Sequence, residues 1–154
     1  MNLTKHTDYA LRILLHLAIQ PGRKLSIANI ATTEDISRNH LMKVSQSLAR
    51  LGYIVGYRGK GGGIALAKPA HTVNIGQLLQ QVERNLQPVD GMEAGQPAAP
   101  GLLLEQALED ARTSFIQSMS QYTLADLVAD ALRRPEEVIE EDSQSPLLGE
   151  QGAG

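Results

Sequence analysis

No cysteine occurs among the 154 residues, which excludes disulfides and thiolate-bound metals and limits sulfur redox chemistry to methionine. Tryptophan is also absent. One Phe and four Tyr leave the core to Leu, Ile, Val, Ala and Met, a composition that suits helices better than a β-sandwich. Long apolar runs are missing as well. The N-terminal stretch "MNLTKHTDYALRILLHLAIQP" is interrupted by Asp8, Arg12 and His16 and shows no small-residue cleavage site, so neither a signal peptide nor a membrane span is expected. The expectation is a cytoplasmic protein with one main core and an extension, and no membrane partner.

Charge of one sign is scarce in each half. Residues 1–70 carry ten Lys and Arg against Asp8, Glu34 and Asp35, a balance of +7. Residues 71–154 carry four against fourteen acids, a balance of −10, and the two sum to −3. A basic front half faces a polyanion more readily than it faces water alone.

Apolar periodicity then sets the elements. Tyr9, Ala10, Ile13, Leu14, Leu17 and Ala18 recur at helical spacing until Pro21-Gly22. Ser26 caps a short second helix with Ile27, Ile30 and Ala31 on its apolar side. Ser37 caps a third, in which Leu41, Val44, Leu48 and Leu51 face inward. The polar types Ser37, Arg38, Asn39, His40, Lys43 and Gln46 are left on the other face of that helix. "YIVGYRGKGGGIALAKP" reads as a β-hairpin with a glycine-rich turn, and Val73, Ile75, Leu78, Leu79 and Val82 mark a fourth helix. A loop of Gly, Pro and Ala follows. From Leu104 a long helix is expected, with Leu104, Leu108, Ala111, Phe115, Ser118 and Tyr122 at spacings of four and three, widened by Ile116 and Met119. Such a seam fits a homodimer. The acidic, Gly-rich tail is expected to be disordered.

Two short helices, a tight turn and a glycine hairpin make a winged helix-turn-helix. In that geometry the start of the third helix brings Arg, Asn and hydroxyl groups to base edges in the major groove of a double-stranded operator. The hairpin lays Arg58, Lys60, Gly61 and Gly62 along the sugar-phosphate backbone. A nucleotide-binding P-loop is excluded, because Lys60 precedes the glycines and a strand follows them. His6, His16, His40 and His71 fall on different elements without metal-ligand spacing. No catalytic constellation can be assembled, so an enzyme is not expected.

"LTKHTDYALRILLHLA", "SRNHLMKVSQSLARLGYIVGYRGKGGGIALAKPA" with "IGQLLQQVE", and "YTLADLV" together resemble the Rrf family of iron-sulfur and nitric-oxide-responsive winged-helix regulators, of the NsrR/IscR type, over residues 1 to about 130. The resemblance implies a dimeric transcriptional repressor whose long C-terminal helix crosses its partner. It also implies three cysteines before that helix and an acidic residue of the first helix, together holding an iron-sulfur cluster. Those positions map here to Gly91, Gln96 and Leu102, and to Asp8. A single carboxylate cannot hold such a cluster without thiolates, so no cofactor is expected. Gly, Gln and Leu at these places suggest natural drift rather than engineered removal, and Asp8 is left for a surface hydrogen bond or ion pair.

The expected architecture is mainly α with a small β-hairpin. A winged helix-turn-helix domain spans residues 1–84 and the loop equivalent to the family's cluster loop 85–101. The dimerisation helix region then covers 102–131 and the acidic tail 132–154. Two other readings stand beside the repressor: a winged helix that docks on protein, disfavoured by the +7 front half, and a regulator that senses a small effector near the loop.

Overall fold

Helix α1 (Lys5–Ile19) packs against the third, fourth and sixth helices and the second strand. Ala10, Ile13, Leu14 and Leu17 are at most 2% exposed, the consequence of apolar residues repeating on one face. Thr4 caps its start by accepting from the Thr7 amide. The buried Glu83 carboxylate then binds Thr4 twice, through the amide at 2.8 Å and the hydroxyl at 3.0 Å, tying this end to the fourth helix. In this computed structural model the described residues are 3–83, 86 and 102–133.

Helices α2 (Ile27–Thr33) and α3 (Arg38–Arg50) form the helix-turn-helix. Ser26 caps α2 through the Asn29 amide, as its position suggested. Ser37 holds the N-cap position of α3, but its side chain makes no capping bond, contrary to the expected role. Strands β1 (Ile54–Tyr57) and β2 (Gly63–Leu66) pair antiparallel, with Ile54 opposite Leu66 and Tyr57 opposite Gly63. After a 3-10 turn at Ala70–Thr72 comes α4 (Ile75–Val82), capped by Asn74.

The C-terminal region differs from the single helix expected from Leu104 to Tyr122. Helix α5 runs Leu102–Met119, and a separate α6 spans Leu124–Arg133, so Tyr122 lies in the connection between them. The break has a physical cause. Residues 120–124 are zipped to the segment before α4: Ile75 donates to the Tyr122 carbonyl, Leu124 to that of Val73, and Asn74 Nδ2 to that of Ser120 at 2.7 Å. Thr123 and Asp126 then cap each other's amides and start α6 afresh. Helix α6 packs on α1, and its Leu124 is fully buried. It reaches Arg133, two residues into the range assigned to the tail. The rest of that tail, and the loop apart from Leu86, lie outside the described residues.

Candidate nucleic-acid interface

The third helix presents the surface that its sequence pattern implies. Leu41, Val44 and Leu48 are buried, which leaves Ser37, Arg38, Asn39, His40, Lys43 and Gln46 exposed on the opposite side. The unused Ser37 hydroxyl stays available to an outside partner. The His40 ring is directed toward α1, stacked on Tyr9 with centroids 6.5 Å apart.

Beside α3 the hairpin turn exposes Arg58, Lys60 and Gly61, while Gly62 is half-buried. A side chain at Gly62 would meet the Gly59 carbonyl oxygen at 2.9 Å, so only glycine closes this turn. Between helix and hairpin lies an open cleft of about 640 Å³, lined by Arg38, Met42 and Gln46 on one side and by Tyr57, Arg58 and Gly62 on the other. No acidic side chain lines it. Of the residues expected to bind DNA, Arg38, Gln46, Arg58 and Gly62 are thus brought to one cleft. Asn39, His40, Lys43, Lys60 and Gly61 lie outside it, on the exposed helix face and at the hairpin tip.

Behind the helix-turn-helix sits a polar network that the sequence did not announce. Arg12 donates to Asp8 at 3.0 Å through Nε and to Glu34 at 2.6 Å through Nη1, and His16 Nε2 lies 2.5 Å from the other Glu34 oxygen. Glu34 is the C-cap of α2, so the network fastens α1 to the turn that precedes α3. Burial alone would push the Glu34 carboxyl up, but the hydrogen bonds from Arg12 and His16 outweigh it and hold the group below the usual carboxylate range. The bond to Glu34, followed by that to Asp8, raises Arg12 in turn. Asp8 therefore has the ion pair its sequence position left for it.

The residues present do not fit an iron-sulfur cluster. The chain has no thiolate, Asp8 is engaged by Arg12, and no group of three His, Asp or Glu converges on a metal position among the described residues. Leu102 is the first residue of α5, while Gly91 and Gln96 lie outside the described residues.

The residues assigned to the dimer seam separate into two sets. Leu104 and Leu108 are 65% and 62% exposed, with Ala111 exposed beside them and Leu103 at 81%. Phe115 and Met119 instead pack against the core of their own chain, and Tyr122 is exposed in the α5–α6 connection. The free apolar face therefore belongs to the first half of α5.

The Rrf2 family profile, described as an iron-dependent transcriptional regulator, matches residues 3–130. The HTH-type transcriptional regulator NsrR of Halalkalibacterium halodurans is 42% identical over 134 residues, covering 84% of this chain and 92% of its own length. CymR (YrzC), the global cysteine regulator of B. subtilis, superposes with a TM-score of 0.67 at 23% identity, over 84% of this chain and 98% of that one. IscR of T. potens gives a TM-score of 0.67 at 20% identity, over 85% and 88%. These structures share the fold of this chain, which is mostly helical with one two-stranded antiparallel sheet among its described residues.

Proposed function

The chain belongs to the Rrf2 family of transcriptional regulators, and from that premise we propose that it is a dimeric, sequence-specific DNA-binding repressor that works without an iron-sulfur cluster. The observation that carries this reading is the cleft between α3 and the hairpin, which gathers Arg38, Gln46 and Arg58 with no acid among its lining. Arg38 and Asn39 read base edges, while Arg58 and Lys60 hold phosphates. The exposed Leu103, Leu104 and Leu108 of α5 form the dimer seam, which brings two heads to two half-sites. No chemistry is assigned to the site, and the protein acts in the cytoplasm. Among the described residues, no helix is long and apolar enough to cross a membrane.

Binding titrations on specific and scrambled duplexes test the assignment. Arg38→Ala costs on the order of 1 to 3 kcal/mol and relaxes sequence preference, whereas Lys60→Ala weakens all sequences alike and flattens the salt dependence by about one unit. Equal losses on both duplexes for Arg38→Ala would reject base readout. Anaerobic reconstitution with iron and sulfide checks the cluster-free reading. Stoichiometric iron with a charge-transfer band, or operator binding only after reconstitution, would overturn it.

A further inference from the structure

The hairpin has a second face, turned away from α3. Leu25 forms a bridge to Ile64, its amide donating to the Ile64 carbonyl at 2.9 Å and its carbonyl accepting from the Ile64 amide at 2.8 Å. The approach is so close that a side chain at Gly63 would meet the Leu25 carbonyl oxygen at 2.7 Å. The α1–α2 connection is thereby fastened to β2, and Lys24 is set with its ammonium 4.0 Å from the centre of the Tyr57 ring. Lys68 stands over Tyr53 in the same way, at 4.4 Å.

Both ammonium groups are held by ring faces rather than carboxylates. A cation–π contact orients a lysine without cancelling its charge. The ion pairs among the described residues use Arg12, His16 and Arg112, and none involves Lys24 or Lys68. An outer cleft of about 400 Å³ is lined by Arg23, Lys24, Tyr57 and Lys68, again with no acid. Tyr57 also lines the inner cleft beside Arg38 and Arg58, so it is the ridge between the two.

We propose that this outer face, Lys24, Tyr57 and Lys68, is a second phosphate-binding surface that grips the DNA backbone outside the half-site read by α3. The inference rests on the DNA-binding reading above. A duplex seated in the inner cleft continues across the Tyr57 ridge because it is stiff over this distance, and the phosphates it carries there meet two oriented cations. These contacts carry no sequence information. Their effect is to make affinity depend on the length of DNA flanking the operator.

The test uses the full chain and a duplex recovered with it by selection from a random-sequence pool. One form is the selected sequence alone, and the other is extended on each side by about one helical turn, roughly 10 base pairs. The unsubstituted protein is expected to bind the long form more tightly. Lys24→Ala is expected to lose on the order of five- to tenfold on the long form and to flatten its salt dependence by about one unit per subunit, with the short form held within about twofold. Lys24→Arg restores the slope, and preference over a scrambled core is unchanged. Equal weakening of both forms by Lys24→Ala, or no gain from the extension in the unsubstituted chain, overturns the proposal while leaving DNA binding intact. Failure of the unsubstituted chain to retain any duplex overturns the DNA-binding reading and this inference with it.

Discussion

At Gly76, α4 lies close against the end of α5. A methyl group at this position would lie 2.7 Å from the Ile116 carbonyl oxygen and 2.8 Å from the Ser120 amide nitrogen. Ser120 Oγ, nearer still, can rotate away, but only by giving up its bond to the same Ile116 carbonyl. The backbone atoms have no such freedom, so Gly76→Ala must push α5 off α4. Overpacking of this kind costs about 1 to 3 kcal/mol, and the helix preference of Ala over Gly returns less than about 1 kcal/mol. A net loss of about 1 kcal/mol, the middle of that balance, corresponds to a melting temperature lowered by roughly 2 to 4 °C for a chain of this size.

The displacement also strains the bonds from Asn74 to Ser120 and from Ile75 to Tyr122, so the apolar face of α5 changes its angle to the head. Operator affinity should then fall even at temperatures where the variant is fully folded. Thermal unfolding by circular dichroism, paired with operator titration at 25 °C, reads both effects. Gly56→Ala serves as the control for the melting measurement alone, since nothing lies within 4 Å of a side chain added there but the residue lines the cleft beside α3. Gly76→Ala melting at or above the unsubstituted protein, with operator affinity kept, would refute the reasoning.

Leu108→Glu, at a residue 62% exposed, should leave the helical circular dichroism of the folded chain unchanged at 25 °C while converting dimers to monomers in sedimentation experiments; loss of fold together with association would place Leu108 in the core instead. Glu34→Gln should cost on the order of 1 kcal/mol near neutral pH, because the bonds from Arg12 and His16 lose their charge assistance and the 44% exposure of Arg12 screens part of it. The folded-state pKa of Glu34 is depressed, so its contribution is present above the ordinary glutamate value of 4.5 and is lost as pH falls through the lower folded value. Urea unfolding should accordingly show the gap between the two proteins closing below about pH 4.5, and a gap that persists into acid would assign the loss to packing.

The helix-turn-helix and hairpin were legible because each depends on a local signal. Apolar spacing fixed the inward faces of α1 and α3, and the glycine run fixed the turn between β1 and β2. The division between α5 and α6 was hidden because the four-and-three pattern continues across it to Tyr122. What breaks the helix is long-range, the zipper between residues 73–75 and 120–124, to which apolar spacing is blind. A local clue did exist in Thr123 and Asp126, the threonine and acid three apart that begin a helix. The same limit applies at the site. Exposure of Arg38 and Asn39 follows from helical phase, but the pairing of Lys24 with Tyr57, and of Arg12 with Glu34, depends on how separate elements meet.

That second pairing bears on how a member without thiolates can be regulated. In the family pattern the sequence resembles, the acidic residue of the first helix serves a cluster on the other subunit. Here Asp8 accepts from Arg12, and the same guanidinium reaches Glu34 at the turn before α3, so the carboxylate is tied to the segment that positions α3 of its own chain. Asp8 and Arg12 are both about half exposed, which makes this pair weaker than the Arg12–Glu34 contact behind it, where Glu34 is only 18% exposed. Any influence on α3 must therefore pass chiefly through Glu34 and through the packing of α1 on α3, α4 and α6. Helix α1 touches α3, α4 and α6, and α5 packs on α4, so on the dimeric reading proposed above a change in how two copies meet along α5 has a mechanical route through α4 and α1 to α3 that needs no metal.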